Sequence, residues 1–229
     1  MKPNLDTIAA EMLRDPAFAG LCSVEIPEAT PATTPSRRVG EVLRLDEIRL
    51  RHRQSVSRAR YSDGRGIVAA VAIIGKLPKP GEVIHVLTDG SYQGVDVIPA
   101  VLELAGTHAA EVLIATLSFN KSNVDTLTGL IDRRQVKRMA VLCSTYFRAG
   151  NEDAFGYAVE ELGKRKVYVA AARSHMKVTT LAIGQSRYVI TGSANLRSCL
   201  AVEQVIITND ARLHGFYRDA ITHIMEQSE

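Results

Sequence analysis

A chain of 229 residues, 46% hydrophobic and 23% charged, is large enough for one substantial domain with a buried core, which excludes a disordered or fibrous polypeptide. Its net charge of +3 is too small to identify a partner by itself. Cys22, Cys143 and Cys199 are odd in number and widely spaced, which argues against a disulfide framework or a zinc site and for free thiols in a reducing cytoplasm.

The first fifteen residues, MKPNLDTIAAEMLRD, lack the apolar centre of a signal peptide. Leu5, Ile8, Ala9, Met12 and Leu13 recur at helical spacing, so a helix is expected over residues 4 to 14, interrupted by Pro16. Residues 24 to 36 carry Pro27, Pro31 and Pro35 and read as a linker or surface loop. Residues 37 to 65 hold nine arginines against four acids. Arg49, Arg51 and Arg53 alternate, which on a strand aligns them along one side, where they can contact phosphates. The longest apolar run, residues 67 to 75, is too short to cross a membrane, and a cytoplasmic protein with no membrane contact is expected. The reading divides the chain into an N-terminal helical and arginine-rich extension, 1 to 66, and a main domain, 67 to 229.

Beyond Pro78, Pro80 and Gly81 the pattern becomes regular. Strands are predicted at 83–87, 112–117, 139–143 and 167–171, with helices at 95–104, 123–133 and 153–162 between them. This alternation predicts an α/β fold: a mixed, largely parallel sheet flanked by helices on both faces. After residue 172 the alternation stops. Residues 174–183, a turn at 184–186 and residues 188–191 read as a β-hairpin, followed by a strand at 202–207 and an amphipathic helix at 211–225.

The hairpin carries the chemistry. His175 and Lys177 share parity on its first arm, and Ser193 and Asn195 share parity on the returning one. A three-residue turn, Gly184 to Ser186, sets His175 opposite Asn195 and Lys177 opposite Ser193, all on one face. A slip of one residue abolishes that arrangement. An imidazole, an ammonium, a carboxamide and a hydroxyl suit a phosphodiester. The imidazole can attack phosphorus or protonate a leaving group, and the others can donate to phosphoryl oxygens. No carboxylate cluster of the kind Mg²⁺ prefers lies nearby in sequence, so metal-independent chemistry without a cofactor is expected. Arg197, just after Asn195, is a candidate to grip a flanking phosphate. His52, His85, His108, His214 and His223 have no such company and read as structural or surface residues.

His175, Lys177, Gly192, Ser193, Asn195 and the downstream Glu203 resemble the active-site motif of the phospholipase D superfamily, and the order of elements from about residue 82 to 225 resembles its fold. The resemblance implies two such motifs around one phosphate, one histidine forming a phosphohistidine and the other protonating the leaving oxygen. This chain has one motif, so the resemblance implies a homodimer in which the two His175 copies meet across a twofold axis. It also implies that Glu203 orients and charge-stabilises a histidine. The superfamily's Asp, five residues after the Lys, is Ala182 here. By strand parity that side chain points away from the face of His175 and Lys177, so its loss removes a support and not a reacting group. The reading is a phosphodiesterase, foremost a nuclease acting on DNA or RNA. Ala182 sustains the alternative, a nucleic-acid-binding protein of the same fold with weak or no catalysis. A phospholipid phosphodiesterase ranks third, since no apolar interfacial helix is evident.

Overall fold

The computed structural model describes residues 65–88, 92–197 and 202–228. The helix expected at 4–14, the proline-containing stretch, Arg49, Arg51 and Arg53, and therefore nearly all of the expected extension, lie outside the described residues. So do Cys22 and Cys199.

Helix α1 (Arg65–Ile74) is formed by the apolar run, followed by Gly75 in the left-handed region. Strand β1 (Val83–Thr88) follows, then a 3-10 turn (Gly94–Asp96) running into α2 (Val97–Ala105). Strand β2 (Glu111–Ala115), α3 (Lys121–Asp132) and β3 (Met139–Ser144) come next. A short α4 (Thr145–Gly150) precedes α5 (Glu152–Gly163) and β4 (Tyr168–Ala172). The hairpin is β5 (Val178–Ile183) and β6 (Ser186–Gly192), and β7 (Glu203–Asn209) and α6 (Ala211–Glu226) complete the described chain.

The seven strands form one open sheet in the order β1-β7-β6-β5-β2-β3-β4. β2, β3 and β4 pair in parallel, and the other four junctions are antiparallel. Five strands therefore run one way and two, β5 and β7, run against them, which is the expected mixed sheet. Helices cover both faces. On one, Ile98 and Val101 of α2, Leu127 and Leu130 of α3 and Leu162 of α5 pack on Val112, Ile114, Val141 and Leu181. On the other, Ile221 and Met225 of α6 pack on Leu113, Leu142, Val178 and Val189. Edge strand β1 keeps Val83 and Leu87 exposed.

His214 of α6 is buried, in line with the structural role read for it. Burial pushes its imidazole below the usual range, and the charge of Arg187 acts in the same direction. The unfolded chain takes up this proton near the ordinary histidine value and the folded chain only at lower pH. His214 therefore contributes stability above the unfolded value that is lost as pH falls below it. Urea unfolding at about pH 7.5 and about pH 5.5 should show a larger loss of midpoint for the wild type than for His214→Gln.

Candidate active site

The direction of the strands gathers one set of ends. The C-termini of β2, β3, β4 and β6 and the N-termini of β5 and β7 lie along the same side of the sheet, because β5 and β7 run against the others. Residues 173 to 177 must cross that side from edge strand β4 to β5, passing the ends of β3 and β2. His175 and Lys177 sit on this crossover and not on a strand, since β5 begins at Val178. Lys177 Nζ lies 3.2 Å from His175 Nδ1 and 3.4 Å from the His175 carbonyl oxygen. His175 itself is exposed.

The expected hairpin register is corrected by one residue. Gly184 adopts φ of +52°, which closes the hairpin in two residues, Gly184 and Gln185, so that Ile183 pairs with Ser186. Pairing runs from there to Val178 opposite Thr191 and stops. His175 is therefore not set opposite Asn195, nor Lys177 opposite Ser193. Lys177 and Asn195 meet instead at a small cleft at the strand ends, which they line with Thr116, Thr179 and Thr191.

Ser193 is held by β7. Its N–H donates to the Gln204 carbonyl at 3.1 Å, and its Oγ accepts from the Gln204 N–H at 3.0 Å. The hydroxyl donates to the Glu203 carboxylate. Ser193 is thus the hydrogen-bond partner of Glu203 among the described residues. The preceding Gly192 passes so close to β7 that a Cβ would collide with the Gln204 carbonyl.

Asn195 and Leu196 dock on the 3-10 turn. Val95 N–H donates to the Leu196 carbonyl at 3.0 Å, Leu196 N–H to Thr116 Oγ1 at 3.4 Å, and Gly94 leaves no room for a Cβ beside the Asn195 carbonyl. Asn195 Oδ1 is buried with no hydrogen-bond partner among the described residues. The turn is in turn braced from below. Asp96 is buried, accepts the Gln93 N–H at 2.8 Å, and is held above the usual carboxylate range by that burial. Gln93 Oε1 accepts from the fully buried Asn123 at 2.7 Å. Arg197 is exposed and makes no ion pair among the described residues. No group of three or more His, Cys, Asp or Glu side chains that could hold a metal ion occurs among the described residues.

Thr116, Gly94 and Gln93 are site-building residues that sequence reading missed. Their signal, a hydroxyl just past a strand end and glycine opening a helix, is too common to single out. Ser118, Phe119 and Asn120 stand out in the sequence as the end of a strand. The structure gives them scaffold roles: the Ser118 carbonyl accepts from Thr116, Phe119 packs on Phe147, and Asn120 caps α3 through the Asn123 N–H.

The open mixed sheet, with β5 and β7 reversed among five strands that run the other way, defines the class of fold. Among solved structures, this architecture is similar to Nuc from Salmonella typhimurium, a phospholipase D family member. The match has a TM-score of 0.50 at 16% identity and covers 65% of this chain and 96% of that one. The chain thus has the phospholipase D-like fold. It is also similar to NucT from Helicobacter pylori (TM-score 0.47, 15% identity, 64% of this chain and 98% of that one). TrmBL2, an archaeal chromatin protein whose structure shows a novel mode of DNA binding, is a further match (TM-score 0.43, 15% identity, 64% of this chain and 53% of that one). No family model and no curated protein matches the chain.

The Gly192 contact gives a direct check. Gly192→Ala must push β6 off β7 just before Ser193, and is expected to cost about 1–3 kcal/mol in spite of alanine's lower unfolded-state entropy. Thermal unfolding should show a lower midpoint.

Proposed function

We propose that this chain is a metal-independent phosphodiesterase, foremost a nuclease cleaving DNA or RNA through a phosphohistidine, with a site shared by two subunits. The observation that carries the proposal is the contact between Lys177 Nζ and His175 Nδ1 beside a cleft that also holds Asn195. His175 supplies the reacting imidazole. Lys177 and Asn195 donate to phosphoryl oxygens, and Ser193 does so once its hydroxyl turns from Glu203. Arg197, with Arg49, Arg51 and Arg53, supplies contacts to flanking phosphates. The fold shared with a phospholipase D family member supports this assignment.

The Lys177 contact also bears on how two identical histidines divide the work. A neutral ring that accepts from Lys177 at Nδ1 carries its proton on Nε2 and is neither a nucleophile nor an acid; protonating a leaving oxygen takes the imidazolium, with both nitrogens protonated and Lys177 released from Nδ1. A nucleophilic ring needs a bare Nε2, hence a proton on Nδ1, and Lys177 must then turn away, toward the phosphate. Substrate bound across a twofold axis makes the two lysines, and so the two histidines, inequivalent.

The alternative, a binding protein with weak or no catalysis, rests on Ala182. That residue pairs with Glu111 and Arg187, one step from the hairpin turn, while the cleft lies at the other end of β5. Four residues of extended chain put it roughly 13 Å from Val178. Its substitution leaves the reacting groups untouched, so catalysis is the favoured reading.

The test is cleavage of single- and double-stranded DNA and RNA in EDTA. Wild-type activity should survive the chelator and fall at least a thousandfold, on the order of a lost nucleophile, in His175→Ala. Salt-sensitive binding without cleavage would support the alternative. Light scattering should give a dimer, and a fully active monomer would sink the shared site.

A further inference from the structure

Tyr146 is the most exposed of the large hydrophobic side chains described, at 83%. Its position is fixed although its ring is free. Ser144 Oγ accepts the Tyr146 N–H at 3.1 Å, and the next residue, Phe147, is buried with its ring centroid 4.6 Å from that of Phe119. An aromatic ring held out to solvent by a buried neighbour gains nothing for folding, so folding does not explain it.

The segments near it carry arginines and leave the sheet at the end where the cleft lies. Ser144 pairs with Ala172 across β3 and β4, so the segments that carry Tyr146 and Arg173 leave adjacent strands at the same end of the sheet. Arg148 follows on α4, and both arginines are exposed. Arg173 opens the crossover on which His175 sits, two residues and at most about 7 Å of chain away. β3 lies two strand spacings from β5, roughly 10 Å. The nearest acids in sequence, Glu152 and Asp153, open the next helix, and Asp153 is taken by Lys121 at 2.8 Å.

We infer that Tyr146, flanked by Arg148 and Arg173, is a stacking platform that selects single-stranded nucleic acid and leads it into the cleft. The inference rests on the nuclease reading above and adds the substrate form. An unpaired base offers a π-face to the ring while its phosphates meet the two guanidinium groups. In a duplex each base face is already stacked and the ring has nothing to receive. Tyr146 is a specificity-determining residue, and His175 needs no contact with it.

The chain has no tryptophan, so Tyr146→Trp installs a single indole reporter. In full-length His175→Ala carrying Tyr146→Trp, a single-stranded oligonucleotide should quench the indole, and should do so more than its duplex or an abasic strand of equal charge. Equal quenching by all three would overturn the inference. In the otherwise wild-type chain, Tyr146→Ala should raise KM for single strands roughly tenfold, as a lost stacking contact does, with kcat little changed. Tyr146→Phe should restore it. KM for duplex and abasic substrates should stay put, and a parallel rise on them would overturn the inference. If the wild type cleaves nothing while single strands still quench selectively, the catalytic reading fails and the platform stands.

Discussion

Strand β5 enters the sheet antiparallel to both of its neighbours, β2 and β6, and the candidate site depends on that reversal. Were β5 parallel to β2, the segment entering it would start from the opposite side of the sheet. His175 and Lys177 would then lie a full strand length from Thr116 and Asn195. Reversal instead forces the β4–β5 connection across the C-terminal ends of β2 and β3. It also returns β6 to the same side, where the cleft forms. Open sheets with parallel strands commonly hold ligands beyond their C-terminal strand ends. Here two reversed strands add their N-termini to that rim.

Placement by topology is coarse, and local contacts make it definite. The loop carrying Asn195 is held by β7 through Ser193, by the 3-10 turn through Leu196, and by β2 through Thr116. Two of these contacts admit only glycine at the point of approach, Gly192 and Gly94. Behind the turn, Asp96, Gln93 and Asn123 form a polar support. Asn123 is fully buried, and each of these hydrogen bonds offsets a desolvation cost of about 1–3 kcal/mol that an unpaired group would carry.

Much of this was legible in the sequence because the relevant signals were long and periodic. The run from Val83 to Met225 alternates apolar segments of strand length with amphipathic stretches, and each predicted strand and helix there is present. Short or turn-dependent features were not. α4 has only six residues and no full amphipathic repeat, so its rim position, with Tyr146 outward and Phe147 inward, could not be read in advance. The hairpin register was missed by one because both a two-residue and a three-residue turn suit the same Gly184-Gln185-Ser186 string. The left-handed conformation of Gly184 decides between them. Lys177 and Asn195 meet through strand ends and a docked loop in place of cross-strand opposition.

That difference changes how the motif should be understood. In the hairpin picture all four polar groups aim at phosphate equally. In the structure they divide. His175 and Lys177 are joined to each other on a crossover, whereas Ser193 spends its donor on Glu203 and its acceptor on Gln204. Glu203 opens β7 and pairs across the sheet with Thr88 of β1, so it ties the docked loop to the sheet's edge. Ala182 belongs to this structural division. On the neighbouring strand and the same sheet face, Glu111 places a carboxylate directly opposite it, held by Arg218 at 3.0 Å and Arg138 at 3.3 Å. A charged side chain at 182 would add a second carboxylate beside one that is already paired, and like charges that close are unfavourable. Alanine suits this position for reasons local to the far end of β5, and the end of that strand at the candidate site is free of the consequence.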